Sequence, residues 1–352
     1  NEEAIEQTAD FLKAKIPHQN CEWFEARGSE KSRLHFEFEL QEDLHEKSDL
    51  PTFDLLQFEG EISVLIKPWE TQLRELLRNQ HPGEEGAQLY ERYVPLMPSH
   101  YRARVDTMEA LENIQYMERL THEDNIQLDL KPFTLPSLLV ESVSLLYIYS
   151  KEKIHLIRIM PVLQNLGLHV IDQLTTRIGN DEKTLGFIQS FRVIRNDKVN
   201  IDEIRFKPLL AAIVQQVYLQ NTENDPLNGL ALLANLGWRE INVLQLYRNL
   251  SLQLSAPLTR ETINAVLLRH PNSSRLLFET FACRFSLDPS FGNLAYRKEV
   301  LLPQKKQEFS ESLEKVQQVT DDEVLRRLFE LIENTLRTNF YLPKDAEETG
   351  VS

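Results

Sequence analysis

The stretch Ile157–Asp172, IRIMPVLQNLGLHVID, constrains this chain more than any other. It reads as a short amphipathic helix, a glycine stop and a buried strand. Ile159, Leu163 and Leu166 recur at helical spacing, with Met160 beside them. Pro161 belongs in the first turn, because deeper in a helix its ring clashes with the preceding turn. The helix therefore begins near Ile157 or Arg158. Gly167 accepts the left-handed conformation that closes a helix. Leu168, Val170 and Ile171 then enter a sheet. A helix this short is held by packing on that sheet, not by its own propensity.

The neighbouring segments supply the rest of the sheet. Val140–Tyr149 is strand-like, with Val143, Leu145, Tyr147 and Tyr149 on one face. Phe187–Val193 is another strand. Asp202–Leu219 predicts a helix on Ile204, Leu209, Ile213 and Val217. The order strand, helix, strand, strand, helix is the split pattern of ferredoxin-like domains, whose helices cover one face of an antiparallel sheet. Regulatory ACT domains share this order, although order alone assigns no function.

Upstream, Glu2–Lys15 reads as a helix, and Cys21–Ala26 with Ser32–Leu40 as a hairpin around Gly28-Ser29. Gln41–Pro51 is acidic loop. Phe53–Gln80 has a helical pattern with Pro68 as its weak point, and Glu84–Val94 and Thr107–Leu120 are further helices. Ile126–Leu130 is a short strand. After Asn221 no strand pattern remains. Helices follow over Trp238–Leu254 and Asn272–Phe285, with Thr259 as an N-cap between them. Thr320 and Glu323 have capping-box spacing ahead of a helix on Val324, Leu328, Ile332 and Leu336. The expected fold class is α+β: ACT-like, ferredoxin-like βαββα modules followed by an all-α helical domain. Residues 1–135 are expected to form a first module with a helical insertion, and 136–222 a second. Residues 223–341 form the helical domain, and 342–352 a loose tail.

The chemistry to be expected is bounded by what the chain carries. With 39 Lys+Arg against 54 Asp+Glu, the net charge of −15 argues against nucleic acid as a partner. The most apolar run, Leu138–Tyr149, is too short for a membrane span and holds Glu141. Residues Asn1–Lys15 do not read as a signal peptide. Cys21 and Cys283 are expected to be reduced thiols, and the protein cytoplasmic. A chain beginning at Asn1 reads as a fragment or a processed chain. It has no G-x-G, no phosphate loop, no G-x-S-x-G and no H-E-x-x-H. His18 and Cys21 have ligand spacing but no second pair, so a surface histidine and a buried thiol are the better account. Ser99-His100 is a chance adjacency, Glu109, Glu112 and Glu118 a solvated helix face, and Trp238 with Tyr247 core. No catalytic, cofactor-binding or metal residue is assigned. One loop has binding character: Ser150–His155, SKEKIH, where the first strand meets the first helix. Lys151 and Lys153, with His155 beside the helix N-terminus, suit a carboxylate-bearing effector. The plain alternative is a solvated turn that is basic by chance.

Several stretches taken together resemble a known family. Ile159–Asp172 (IMPVLQNLGLHVID), Leu236–Tyr247 (LGWREINVLQLY) and Leu267–Phe285 (LLRHPNSSRLLFETFACRF) are similar to segments of the large-type bacterial NAD-specific glutamate dehydrogenases. So are Tyr93–Ala103 (YVPLMPSHYRA) and Leu325–Tyr341, ending LRTNFY. The likeness extends from about Leu34 to Tyr341. It implies an internal piece of a very long chain, carrying ACT-like modules and a helical region. In that family the substrate and nicotinamide sites lie in a separate catalytic core. The resemblance thus implies a non-catalytic regulatory and assembly region, with NAD used by the whole enzyme and no cofactor bound here. It also implies the catalytic core of the same chain as partner, a homo-oligomer and an amino-acid effector. Two other classes fit the residues: a free-standing amino-acid-sensing module, and a helical interaction scaffold.

Overall fold

The computed structural model describes residues 2–16, 18–27, 32–40, 60–62, 68–121, 125–133, 143–254 and 258–342. The chain divides into two compact units, Asn1–Ile114 and Gln115–Ser352.

In the first unit the helix Glu2–Lys15 buries Ala9 and Leu12 and precedes a hairpin of β1 (His18–Arg27) and β2 (Ser32–Leu40). Along β2 the half-buried Phe36 and Phe38 alternate with exposed His35, Glu37 and Glu39, as period two requires. The expected turn at Gly28-Ser29 and the loop Gln41–Pro51 lie outside the described residues. So does most of Phe53–Pro68. The helix that follows runs over Trp69–Gln80, with Pro68 as its N-cap residue. Proline has no N–H to give a preceding carbonyl, so it suits a helix start. Leu73 and Leu77 are fully buried, and Trp69 Nε1 donates to the Val105 carbonyl at 2.8 Å.

The second unit is built on a four-stranded antiparallel sheet in the order β3-β4-β6-β5. These strands are β3 (Ile126–Phe133), β4 (Val143–Ser150), β5 (Leu168–Gly179) and β6 (Thr184–Arg195). The helix Leu156–Asn165 links β4 to β5, and the helix Glu203–Tyr218 follows β6. This is the expected split pattern with one addition. The short strand placed within residues 1–135 pairs with β4, so the sheet begins before residue 136. A ferredoxin-like sheet needs a strand beside its first, and here an earlier segment of the chain provides it.

β4 is buried on both faces. Leu146 and Ile148 join the core beneath the helices, while on the other face Tyr149 stacks on Tyr116 at 4.8 Å. β5 corrects an expectation. It has an open edge rather than a buried setting, and its register shifts between Val170 and Asp172. Ile171 occupies that bulge and is 47% exposed. A bulge leaves its extra residue out of the ladder, which period-two counting cannot foresee.

The Leu156–Asn165 helix starts one residue before the predicted point, which puts Pro161 inside the helix and not in its first turn as expected; Ile159, Leu163 and the C-cap residue Leu166 are buried as predicted. Gly167 has φ +78°. Asp202 caps the second helix by accepting from Arg205 N at 3.1 Å. The buried residues of that helix are Phe206, Leu210, Ile213 and Val214, whereas Ile204 is 93% exposed. Two residues turn a helix by about 200°, so Ile204 cannot share a face with Phe206.

The helical region packs on the same core. Leu227, Leu230, Ile241, Ile263, Leu277 and Leu328 belong to one continuous cluster with Leu163, Phe191 and Leu210. The boundary expected near Asn221–Pro226 therefore marks a change of secondary structure, not a break in packing. Thr259 caps its helix as predicted, accepting from Thr262 N at 3.2 Å.

The expected capping box at Thr320 does not form. The last helix begins at Val319 with Gln318 as N-cap residue, so Thr320 is already inside it. Leu336 lies past the end of that helix at Asn334 and is 88% exposed. The helix start is tied down by buried Asp321, which receives Arg269 Nη1 at 2.6 Å and His270 Nε2 at 2.8 Å. Burial alone would raise the Asp321 pKa, but those two hydrogen bonds outweigh it and hold it below the ordinary 3.8. A depressed carboxylate contributes stability above its unfolded pKa and loses it as pH falls through the folded one. Asp321→Asn should therefore lower the melting temperature at neutral pH. The gap to the parent should close on acidification below the ordinary aspartate range. A gap that stayed constant into strong acid would refute this role.

Candidate functional site

The loop Ser150–His155 leaves the C-terminal end of the central strand β4 and enters the Leu156–Asn165 helix. Lys151, Lys153 and His155 are all exposed, in one stretch of five residues. His155 is the N-cap residue, in extended conformation (φ −72°, ψ 141°), and no side chain caps the helix. Arg158 N already donates to the His155 carbonyl at 2.9 Å, so the N–H groups of Leu156 and Ile157 are the ones left to meet a ligand oxygen, and the positive end of the helix dipole favours an anion there. Leu156 and Ile157 stand beside them, 45% and 84% exposed. The arrangement can hold a carboxylate near two ammonium groups. It contains no nucleophile paired with a base.

What fixes the loop is a residue that sequence reasoning passed over. Directly after Lys153, Ile154 is buried, and its backbone is held by the amide of buried Gln189 on β6. Gln189 Oε1 accepts from Ile154 N at 3.1 Å, and Nε2 donates to the Ile154 carbonyl at 3.0 Å. Ser150 Oγ closes the turn by donating to the Glu152 carbonyl at 2.7 Å. Gly186 lets β6 come close: a Cβ there would lie 2.6 Å from the Ser150 carbonyl. The signal for Gln189 was present, since it is the polar member of the inward series Phe187, Gln189, Phe191, Val193. Gln189→Leu should leave the Ile154 N–H and C=O buried and unpaired, costing about 1–3 kcal/mol. Hydrogen exchange at the Ile154 amide should accelerate far more than exchange in β5. Unchanged exchange there would show that the amide clamp is not what orders the loop.

Other flagged residues are not brought together. Ser99 and His100 are exposed on the short helix Ser99–Arg102. Cys21 is a free, half-buried thiol and Cys283 a free, buried one. Burial pushes the Cys283 thiol above its ordinary pKa. Among the described residues no group of three or more His, Cys, Asp or Glu could hold a metal ion, and no helix is long and apolar enough to cross a membrane.

Fold and loop define an ACT-type α+β module fused through one core to a helical region. Comparison with known families agrees segment by segment. Residues 141–204 match the family described as the glutamate dehydrogenase ACT3 domain, and 222–287 match glutamate dehydrogenase helical motif 3. The chain is 29% identical over 304 residues to the NAD-specific glutamate dehydrogenase of Halomonas elongata, covering 82% of this chain and 18% of that one. It is 25% identical over 333 residues to the enzyme of the same name from Pseudomonas aeruginosa, covering 94% and 20%. With that of Mycobacterium tuberculosis it shares 22% over 192 residues, covering 53% and 12%. The chain thus spans a fifth or less of the length of these curated relatives, and it is similar to a segment of a large-type NAD-specific glutamate dehydrogenase.

Proposed function

We propose that this chain is a non-catalytic regulatory and assembly segment of an NAD-dependent glutamate dehydrogenase. The whole enzyme would convert L-glutamate and NAD to 2-oxoglutarate, ammonium and NADH in the cytoplasm. The single observation that supports the reading is the pairing, in order, of an ACT3-type module with helical motif 3. Hydride transfer and NAD binding would belong to a catalytic core elsewhere on the same polypeptide. The segment would shape a homo-oligomer and bias that core between states. Such bias requires different contacts in the two states. The loop carrying Lys151, Lys153 and His155 is the proposed effector contact, for an amino-acid carboxylate at the open helix end.

The test uses the 352-residue chain alone and then the complete enzyme. The isolated chain should neither oxidise glutamate nor bind NAD; detecting either would refute the non-catalytic assignment. In the complete enzyme, Lys151→Ala with Lys153→Ala should change the response to added amino acids while leaving unstimulated turnover intact. An unaltered response would remove the loop from regulation.

A further inference from the structure

The chain leaves the core at buried Ser286 and rejoins it at buried Phe309. No residue from Leu287 to Leu302 is buried, although Leu287, Phe291, Leu294, Tyr296 and Val300 all lie in that stretch. Leu287 is 72% and Leu294 64% exposed, Tyr296 and Val300 are nearly half exposed, and Phe291 touches the core only as a partly buried side chain. Burial is what normally offsets the entropy of ordering a segment. A single exposed leucine is ordinary, but several in one short segment mark a surface made for contact.

The segment is ordered all the same. It runs as a tight turn Pro289–Phe291, a short helix Leu294–Tyr296 and a π-helical turn Arg297–Leu301 that leads into the helix Leu302–Leu313. Arg297 is its hub. Nη1 donates to the Ser286 carbonyl at 2.6 Å, Nε to that of Gly292 at 3.1 Å and Nη2 to that of Asp288 at 3.4 Å. Its guanidinium also lies 5.7 Å from the centre of the Phe291 ring. Asp288 accepts from Ser290 N at 2.8 Å and Asn293 from Tyr296 N at 2.9 Å, so both turns are capped. Gly292, at φ +70°, makes the bend between them. A π-helical turn is rare and is often found at functional surfaces. Leucines presented on a frame held this way lose little further entropy when something docks on them.

The occupant has to be apolar and close at hand. This chain spans a fifth or less of the length of each curated relative, so most of such a polypeptide lies outside it. The path of the backbone leads to the same place. Tyr341 and Ser286, the residue before Leu287, share a side-chain hydrogen bond, so the chain past Leu342 sets out beside this surface. A segment tethered there meets the surface at high effective concentration, and modest apolar burial then suffices to hold it. We infer that the Leu287–Leu302 surface docks an apolar face of the remainder of its own polypeptide, with Leu287, Leu294 and Val300 as the contact side chains and Arg297 as the residue that positions them. The inference rests on the reading of this chain as part of a longer enzyme and adds which surface joins the part to the whole.

The experiment compares hydrogen exchange in the 352-residue chain with exchange in the complete polypeptide of the proposed enzyme. Amides of residues 287–302 should exchange at least about tenfold more slowly in the complete polypeptide, with the buried helix Pro271–Phe285 alike in both. Leu287→Gln with Leu294→Gln should abolish that slowing. In the 352-residue chain the same pair of changes should leave the melting temperature within about a degree, since neither side chain is buried. Equal exchange in the two forms, slowing that survives the double substitution, or a clearly lower melting temperature of the 352-residue variant would each overturn the proposal. So would sedimentation of the 352-residue chain as a dimer that the double substitution makes monomeric, because a second copy would then be the occupant. Glutamate oxidation by the complete polypeptide reads the enzyme assignment separately. An active enzyme with equal exchange removes only this surface, slowed exchange without that activity removes only the assignment, and a reading frame ending at Ser352 removes both.

Discussion

Asp225→Ala should destabilise the Gln115–Ser352 unit by about 3–5 kcal/mol, the usual result of removing one partner from a buried ion pair. Asp225 is 3% exposed and Arg248 completely buried. Arg248 Nη1 lies 2.8 Å and 2.7 Å from the two carboxylate oxygens and donates to Asn264 Oδ1 at 2.9 Å. Asp225 also receives Leu227 N at 2.9 Å, capping the first turn of the helical region. The site has no slack, because Arg248 Nη2 already lacks a partner among the described residues. Alanine would strand a guanidinium that water does not reach. Replacing both charges, Asp225→Leu with Arg248→Met, should recover most of the loss, since a well-packed apolar pair avoids the desolvation. Urea unfolding of the two single variants and the double variant closes the cycle. A single-variant effect below about 1 kcal/mol, as exposed pairs give, would mean the pair is not buried in solution.

Leu163→Ala should cost about 2–5 kcal/mol, as buried leucine truncations do when the cavity cannot collapse. Leu163 is fully buried between the sheet and the helical region. The more telling result is its reach. One continuous core should give one calorimetric transition for the unit, and Leu163→Ala on the sheet side should lower it as Leu230→Ala on the helical side does. Sheet and helices melting at separate temperatures, with each substitution shifting only its own, would show two independent domains.

Much of the local structure is legible in the amino-acid order. The Leu156–Asn165 helix with its glycine stop, the Thr259 cap and the order of strands and helices all follow from spacing and turn chemistry. They depend on neighbours in sequence, and the pattern records those directly. The misreadings have other causes. Ile204 and Leu336 were placed on packing faces by hydrophobicity, yet they are exposed. Thr320 has capping-box spacing, yet the helix begins two residues earlier than that cap requires and Asp321 is held by Arg269 and His270 instead. The partners of Asp321 lie 52 and 51 residues away in the chain, whereas Ile204 is turned away from buried Phe206 and Leu336 falls past the helix end. The candidate loop divides the same way. Its lysines and helix start could be read directly, whereas the Gln189 clamp crosses 35 residues and could only be seen folded.

By itself the amino-acid order determined which segments become helix or strand, where the Gly167 stop falls, and the likeness to a glutamate dehydrogenase segment. Only the tertiary structure decided that β3 joins the later sheet and that module and helical region share one core. The physical reason is range. Backbone preference and amphipathic period act within a few residues, while burial and charge pairing depend on groups that meet only after the chain has closed on itself.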